Sequence, residues 1–442
     1  MKLEDIPVYE SALLLQGPVG PFFKHFSSWM RSRGSEVYKI NFNLSDDVFY
    51  PRGAFHYKST HRQFADYLRN TLMATGAKAV FMFGEHRPLH EIAQDVCKQM
   101  GVAVWVFEEG FIRPGYITLE NLETRDKLYR GVQLGRKDVE REVPESMSHS
   151  YAKMVWDGAV YFTVGLFSSW KYPDYEHHKP FNLAQGFYWV RSALRRYLYR
   201  PVDFFRERTA LKKFKSKFFL VPLQVYNDYA VAARSDFYDV KDFIDVVLRN
   251  FARHARRDHA IVLKHHPMDR GEMNYGGFIS RLTCELGLEG RVFYLHDCHM
   301  PTFIKASRGV VLINSTVGYQ AIEHGIPVFA MGQALYAQKG GINERALARF
   351  WSNKFSPDVS KSRKFISRLV DASQVPGSFY DVRWIKSKCE KLDDYGELFW
   401  WGEVMRHSYS RMSARSVVDL PKRPGGFASN APSKGARSKK GL

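Results

Sequence analysis

The sequence predicts an α/β fold: two Rossmann-like, doubly wound halves facing a cleft. Apolar, strand-like runs alternate with helical stretches over residues 13–107 and again over 218–330. Such alternation means a parallel sheet covered by helices. Between these regions, residues 130–217 show no clean alternation, only helical spacing such as Val190, Leu194, Tyr197 and Leu198, which marks a helical insertion. Polar clusters also follow several of the apolar runs. Doubly wound sheets bind their ligands there, beyond the carboxyl ends of the strands.

In the first half, Leu13–Leu15 is a strand ending in QGPVGP, and Phe22 to Arg33 is a helix stopped by Gly34. Val37–Ile40 and Ala79–Phe83 are strands, His90–Met100 is a helix closed by Gly101, and Val102–Phe107 runs into EEGFIRP. In the second half, Phe218–Val225 is a strand, Val240–Arg257 a helix, and Ala260–Leu263 a strand ending at KHHP. Val292–Leu295, Val310–Ile313 and Val328–Ala330 complete that sheet. The expected organisation is an N-terminal Rossmann-like half (1–129), an aromatic and basic helical insertion (130–217) and a second Rossmann-like half (218–335). Helices packing back (336–420) and a disordered tail (421–442) follow.

A chain of 442 residues with 45% hydrophobic composition has enough apolar surface for two cores. Its four cysteines are scattered without a C-x-x-C pair, so neither a disulfide framework nor a zinc ribbon is expected, and a reduced compartment fits. The N-terminus lacks the order of a secretory signal. The most apolar stretch, Met154–Trp170, includes Asp157 and is short for a membrane span, which makes it a buried or interfacial segment. The net charge of +19 implies an anionic partner. Ten Lys/Arg against two acids lie in Arg191–Lys217, and six lie in the Gly-, Ser- and Pro-rich tail from Pro421.

Four polar clusters fall at strand ends: Glu108–Pro114, Pro222–Asp228, Lys264–Pro267 and Asn314–Thr316. Asn314-Ser315-Thr316 stands between a strand and a short helix, where unpaired N–H groups and the helix dipole suit a phosphate; an ordinary Ser/Thr cap reads the same way. Lys264, His265 and His266 offer a cation and imidazole donors beside that phosphate, while Pro267 ends the strand. No third ligand stands at a spacing that would make the histidines a metal site. Glu108, Glu109 and Arg113 flank a tight turn at Gly110, and Asp228 could otherwise be a turn-former. Two carboxylates from opposite halves of a cleft are what glycosyl chemistry uses. No GxxxxGK[ST], GxSxG or D-x-D motif occurs, so no Mg- or Mn-bound nucleotide sugar, and no cofactor, is expected.

LLLQGPVGPFF, EEGFIRPGYITLE, VPLQVYNDY, KHHP and NSTVGYQAIEHGIPV, in this order, resemble the capsule polysaccharide biosynthesis proteins of the KpsS/LipB type. The resemblance implies a GT-B-like fold and a metal-independent, retaining Kdo transferase at the cytoplasmic face of a Gram-negative inner membrane. It implies CMP-Kdo as donor, a (lyso)phosphatidylglycerol acceptor, and other capsule-synthesis and export proteins as further partners. The family's LQV…D segment matches Gln224, Val225 and Asp228, and Asp228 is the implied nucleophile; its E-[ED]-G turn matches Glu108, Glu109 and Gly110. His266-Pro267 and Ser315-Thr316 resemble nucleotide-binding elements of CMP-sugar transferases. The nucleotide-sugar set expected on this basis is Gln224, Lys264, His265, His266, Pro267, Asn314, Ser315, Thr316, Glu323 and Arg113. Where the family pattern has Ser and Gln after the Asp, this chain has Tyr229 and Ala230. Trp189, Arg191, Arg195 and Arg196, with Tyr188 and Tyr197, are expected to approach the acceptor and an anionic membrane surface electrostatically. A noncatalytic polysaccharide-binding protein, or a transferase for another CMP-activated acidic sugar, are the alternatives. No nucleic-acid motif accompanies the charge.

Overall fold

The computed structural model describes residues 1–113, 115–134, 150–175, 183–226, 231, 235–337, 342–352 and 358–389. The expected nucleophile Asp228 and the basic tail 421–442 lie outside the described residues.

The first sheet contains β1 (Ser11–Leu14), β2 (Glu36–Asn41), β3 (Ala54–His56), β4 (Ala79–Phe83), β5 (Ala103–Glu109), β6 (Tyr116–Asn121) and, from far along the chain, β12 (Gln374–Pro376). Its order is β12-β6-β5-β4-β1-β2-β3. The five strands from β5 to β3 are parallel, and β6 and β12 add antiparallel edges. The second sheet has β7 (Phe218–Pro222), β8 (Ala260–Lys264), β9 (Val292–Leu295), β10 (Gly309–Leu312) and β11 (Val328–Ala330) in the order β11-β10-β7-β8-β9, all parallel.

Continuous apolar runs form these strands because helices cover both faces of a parallel sheet. β8, AIVLK, is buried along its whole length. The Phe22–Ser32 helix buries Phe22, Phe23, Phe26, Trp29 and Met30 along one face. Phe22 and Phe26 meet Phe107 of β5 edge-on, at ring distances of 5.3 and 5.1 Å. Each such side chain removed from water contributes about 1.5–3 kcal/mol. The Pro88–Met100 helix ends where Gly101 takes a left-handed turn (φ +65°), a conformation other residues resist.

Several boundaries differ from the sequence reading, for local reasons. β5 runs on through Glu108 and Glu109 because β6 pairs with both of them, Glu108 with Thr118 and Glu109 with Ile117. β7 stops at Pro222 rather than Val225, and the Val240–His254 helix ends when Ala255 becomes extended (φ −81°, ψ 150°). The insertion holds the Ser150–Gly165, Ser168–Lys171 and long Leu183–Lys213 helices. No helix among the described residues is long and apolar enough to cross a membrane.

Candidate active site

Each sheet changes winding direction once, and both reversals lie between polar side chains. In the second sheet the chain passes from β7 to β8 and β9, then crosses to β10 on the other side of β7. The crevice at such a reversal is where doubly wound sheets bind ligands. Gln224, just past β7, and Asn314, just past β10, close it reciprocally. The Gln224 amide nitrogen donates to Asn314 Oδ1 (2.9 Å), and the Asn314 backbone N–H donates to Gln224 Oε1 (3.1 Å). Two residues on, the Tyr226 N–H donates to Asp269 (2.9 Å). The chain is therefore anchored on both sides of Val225 immediately before the segment that carries Asp228.

The first sheet reverses between β1 and β4. There Arg87 donates to Gln16 Oε1 (2.8 Å), and the Gln16 amide nitrogen donates to Tyr161 (3.1 Å) and Tyr175 (2.9 Å). Tyr161 comes from the Ser150–Gly165 helix, so the insertion packs directly on this edge. Its Asp157 is buried beside Gly20: a Cβ on Gly20 would lie 2.8 Å from the Asp157 carboxylate. A recess beside the loop is lined by Gly17, Gly20, Lys24 and Tyr161, among others.

The EEG turn extends β5, where successive side chains point to opposite faces. Glu108 is half-buried and accepts the Glu85 backbone N–H (2.9 Å). Burial pushes its carboxyl up to about 7, and the nearby carboxylates of Glu120 and Glu85 add to the rise. Glu109 instead accepts a hydrogen bond from the Tyr380 hydroxyl. Burial and this carboxylate hold the Tyr380 phenol well above its ordinary value. Gly110 is required by close approach, since a Cβ would sit 2.1 Å from the Tyr116 carbonyl oxygen. Past it, Phe111 stacks on Tyr319 (5.2 Å), Gln320 donates to the Arg113 carbonyl (3.3 Å), and the exposed Arg113 side chain donates to the Gly110 carbonyl (2.9 Å). Tyr319 and Gln320 belong to the Val317–Glu323 helix that follows β10. The carboxyl edges of the two sheets thus meet, with the segment just past the EEG turn of one against the helix that follows the NST segment of the other.

Several expected ligand contacts are arranged differently. Lys264 does not present a free cation. It is buried, with its ammonium donating to the carbonyls of His265 (2.8 Å) and His296 (3.2 Å), and burial lowers its pKa. His265 is also buried, paired through Nδ1 with the Tyr294 hydroxyl (2.7 Å), and burial followed by His296 and Lys264 lowers it to about 3. His266 is partly exposed and caps the short turn that Pro267 begins, its Nδ1 accepting from Met268 N–H (3.3 Å). The helix after Thr316 does not open three N–H groups to a ligand. The Val317 N–H bonds Ser315 Oγ (3.3 Å), Gly318 bonds the Ser315 carbonyl (3.0 Å) and Tyr319 bonds the Thr316 carbonyl (3.1 Å). Ser315 and Thr316 are partly exposed. Glu323 ends this helix, about 9 Å along its axis from Val317, and the structure does not bring it to the Asn314–Thr316 edge.

The long helix lies on the second sheet's carboxyl edge. Arg195 donates to the Arg270 carbonyl (2.8 Å), Asp203 accepts from the His296 and Asp297 N–H groups, and Tyr199 stacks on His296 (3.7 Å). Arg196 pairs with Asp297 (3.5 Å), Arg191 is half-buried, and Trp189 packs at a tilt against Phe162 (ring distance 5.3 Å). The insertion thus spans both edges. Gln16, Arg87, Asp157, Tyr161 and Tyr380 were missed as site residues by the sequence reading. The QGP after β1 was the one signal available for them.

Two doubly wound sheets whose polar carboxyl edges meet define a class: α/β proteins built of two Rossmann-like halves that face one another. Within it, the chain belongs to the capsule polysaccharide biosynthesis protein family, whose model matches residues 78–380. It is 35% identical over 395 residues to the capsule polysaccharide modification protein LipB of Neisseria meningitidis serogroup B, covering 86% of this chain and 94% of that one. It is also 35% identical over 375 residues to the capsule polysaccharide export protein KpsS of Escherichia coli, covering 83% and 96%. A more distant likeness is to the β-Kdo 2,4 transferase of Thermosulfurimonas dismutans KpsC, at 13% identity over 85% of this chain and 97% of that one, with a TM-score of 0.38.

Proposed function

We propose that this protein is a retaining, metal-independent glycosyltransferase that moves Kdo from CMP-Kdo to a (lyso)phosphatidylglycerol acceptor at the inner face of the inner membrane, starting a capsule linker. The observation that carries the reading is the packing of Phe111 and Arg113, just past Glu109, on Tyr319 and Gln320 of the helix that follows the Gln224–Asn314 crevice. CMP would occupy that crevice, its phosphate within reach of His266, Ser315 and Thr316. The Asp228 carboxylate attacks the anomeric carbon, the carbon–oxygen bond to CMP breaks, and CMP leaves with the electron pair. The acceptor hydroxyl then attacks the same carbon and passes its proton to Glu109, and the bond to Asp228 breaks. Two inversions give net retention. Glu109 suits the base role because it lies on the Tyr380 side of β5, whereas Glu108 is engaged with the Glu85 backbone. The acceptor's phosphate suits the Lys24 recess: Lys386, Lys24 and Lys153 together act on the nearby His25, which burial first of all lowers to about 4. Glu109→Gln, incubated with CMP-Kdo and no acceptor, should accumulate a Kdo adduct on the Asp228 peptide; Asp228→Asn should form none. An Asp228→Asn protein with wild-type turnover removes the mechanism.

A further inference from the structure

The face of the long Leu183–Lys213 helix that is turned away from the second sheet is more apolar than such a face should be. Its inward residues Arg195, Tyr199, Asp203 and Ala210 follow helical spacing, and Asp203 and Ala210 are buried. A surface helix normally turns charged residues to water on the opposite side. Here Phe187, Val190, Leu194, Leu198, Val202 and Phe205 recur every three or four residues on that side, each between 46% and 71% exposed. The stripe is about 27 Å long at the helical rise. At 100° per residue Tyr197 and the exposed Arg208 flank it, whereas Trp189 and Arg196 turn to Phe162 and Asp297. The adjoining insertion helices expose Trp156 and Trp170 as well, the latter at 88%.

We propose that this helix is an interfacial anchor: its apolar stripe enters the headgroup–acyl boundary of an anionic bilayer, parallel to the surface. The occupant is identified by three features together. A long apolar stripe bordered by Tyr197 and Arg208, with the exposed Trp156 and Trp170 on the adjoining helices, matches a lipid surface, where aromatic rings sit at headgroup level and basic side chains reach the phosphates. The chain's charge of +19 complements anionic lipid. The helix also lies on the same carboxyl edge of the sheet as the proposed donor crevice, at the ends of β8 and β9, so a membrane engaged by the stripe brings lipid acceptors to that edge. The mode differs from a purely electrostatic approach. Arg195, expected at the headgroups, is instead spent on the Arg270 carbonyl, and apolar insertion supplies the binding. This inference rests on the transferase reading only for the identity of the acceptor.

The test uses the full chain and vesicles of phosphatidylcholine alone or with phosphatidylglycerol, read by co-sedimentation at about 0.1 and 0.5 M salt. Wild-type binding to the phosphatidylglycerol vesicles should fall less than about fivefold with salt, because insertion is not screened. The Leu194→Asp, Leu198→Asp double variant should lose at least about thirtyfold at both salts. Both positions are exposed, so the variant's thermal melt and its CMP affinity should match the wild type. Its transfer to detergent-dispersed acceptor should also match, whereas transfer to acceptor in vesicles should drop with the binding. Vesicle binding that survives the double substitution, or that salt alone abolishes, overturns the inference. So does a wild-type dimer, in analytical ultracentrifugation, that the substitution breaks without changing vesicle binding. Loss of CMP binding in the wild type would remove the transferase reading and leave the anchor standing.

Discussion

Glu108→Gln replaces a carboxyl whose titration is coupled to folding. In the native chain burial holds this group near 7, against an ordinary 4.5, so the folded state keeps a proton that the unfolded state releases. Between these values the unfolded state binds fewer protons, and stability therefore falls as pH rises. The rise corresponds to about 3 kcal/mol, present below pH 4.5 and lost once pH passes 7. Gln keeps an oxygen able to accept the Glu85 N–H and cannot ionise. The variant should match the wild type near pH 5 and exceed it by about 2–3 kcal/mol at pH 8. Urea unfolding at half-unit intervals of pH gives the difference directly. The partly buried His25 and the buried His90 and His265, lowered to about 4, 3 and 3, contribute stability above their unfolded value that is lost as pH falls. They titrate alike in both proteins and cancel. A difference that stays constant from pH 5 to 8 would refute the reasoning.

Two further outcomes follow from contacts on the second sheet's edge. A Cβ at Gly271 would meet the Tyr188 carbonyl oxygen at 2.2 Å, so Gly271→Ala should push the long helix off this edge and cost about 2–3 kcal/mol in urea unfolding; an unchanged midpoint contradicts the packing. His266→Ala and Ser315→Ala should each weaken CMP binding at least about tenfold in titration calorimetry, and wild-type affinity in both removes the donor assignment.

The parallel strands were legible because a strand covered on both faces is an unbroken apolar run, and β4 and β9 match the sequence reading residue for residue. β12 was not legible. Gln374–Pro376 is three residues long, and its role comes from pairing with β6 and from Gln374 accepting the Phe111 N–H (2.8 Å) across 263 positions. The Gln224–Asn314 pair spans 90 positions, and no local pattern reports that reciprocity. Lys264 shows a different limit: a lysine at a strand end looks like an available cation until neighbouring carbonyls are seen to take its ammonium. In the long helix, periodicity revealed a helix but could not say which face turns inward. Arg195 and the apolar stripe exchanged the sides that amphipathic reasoning assigns them.

Transfer itself is read by incubating the purified full chain with CMP-Kdo and lysophosphatidylglycerol in detergent and analysing the lipid by mass spectrometry and NMR. The expected product is a lipid heavier by one Kdo unit or more, with the donor's anomeric configuration kept, formed equally well in the presence of a metal chelator. A lipid left unmodified while the protein binds CMP-Kdo, or a product of inverted configuration, would contradict it.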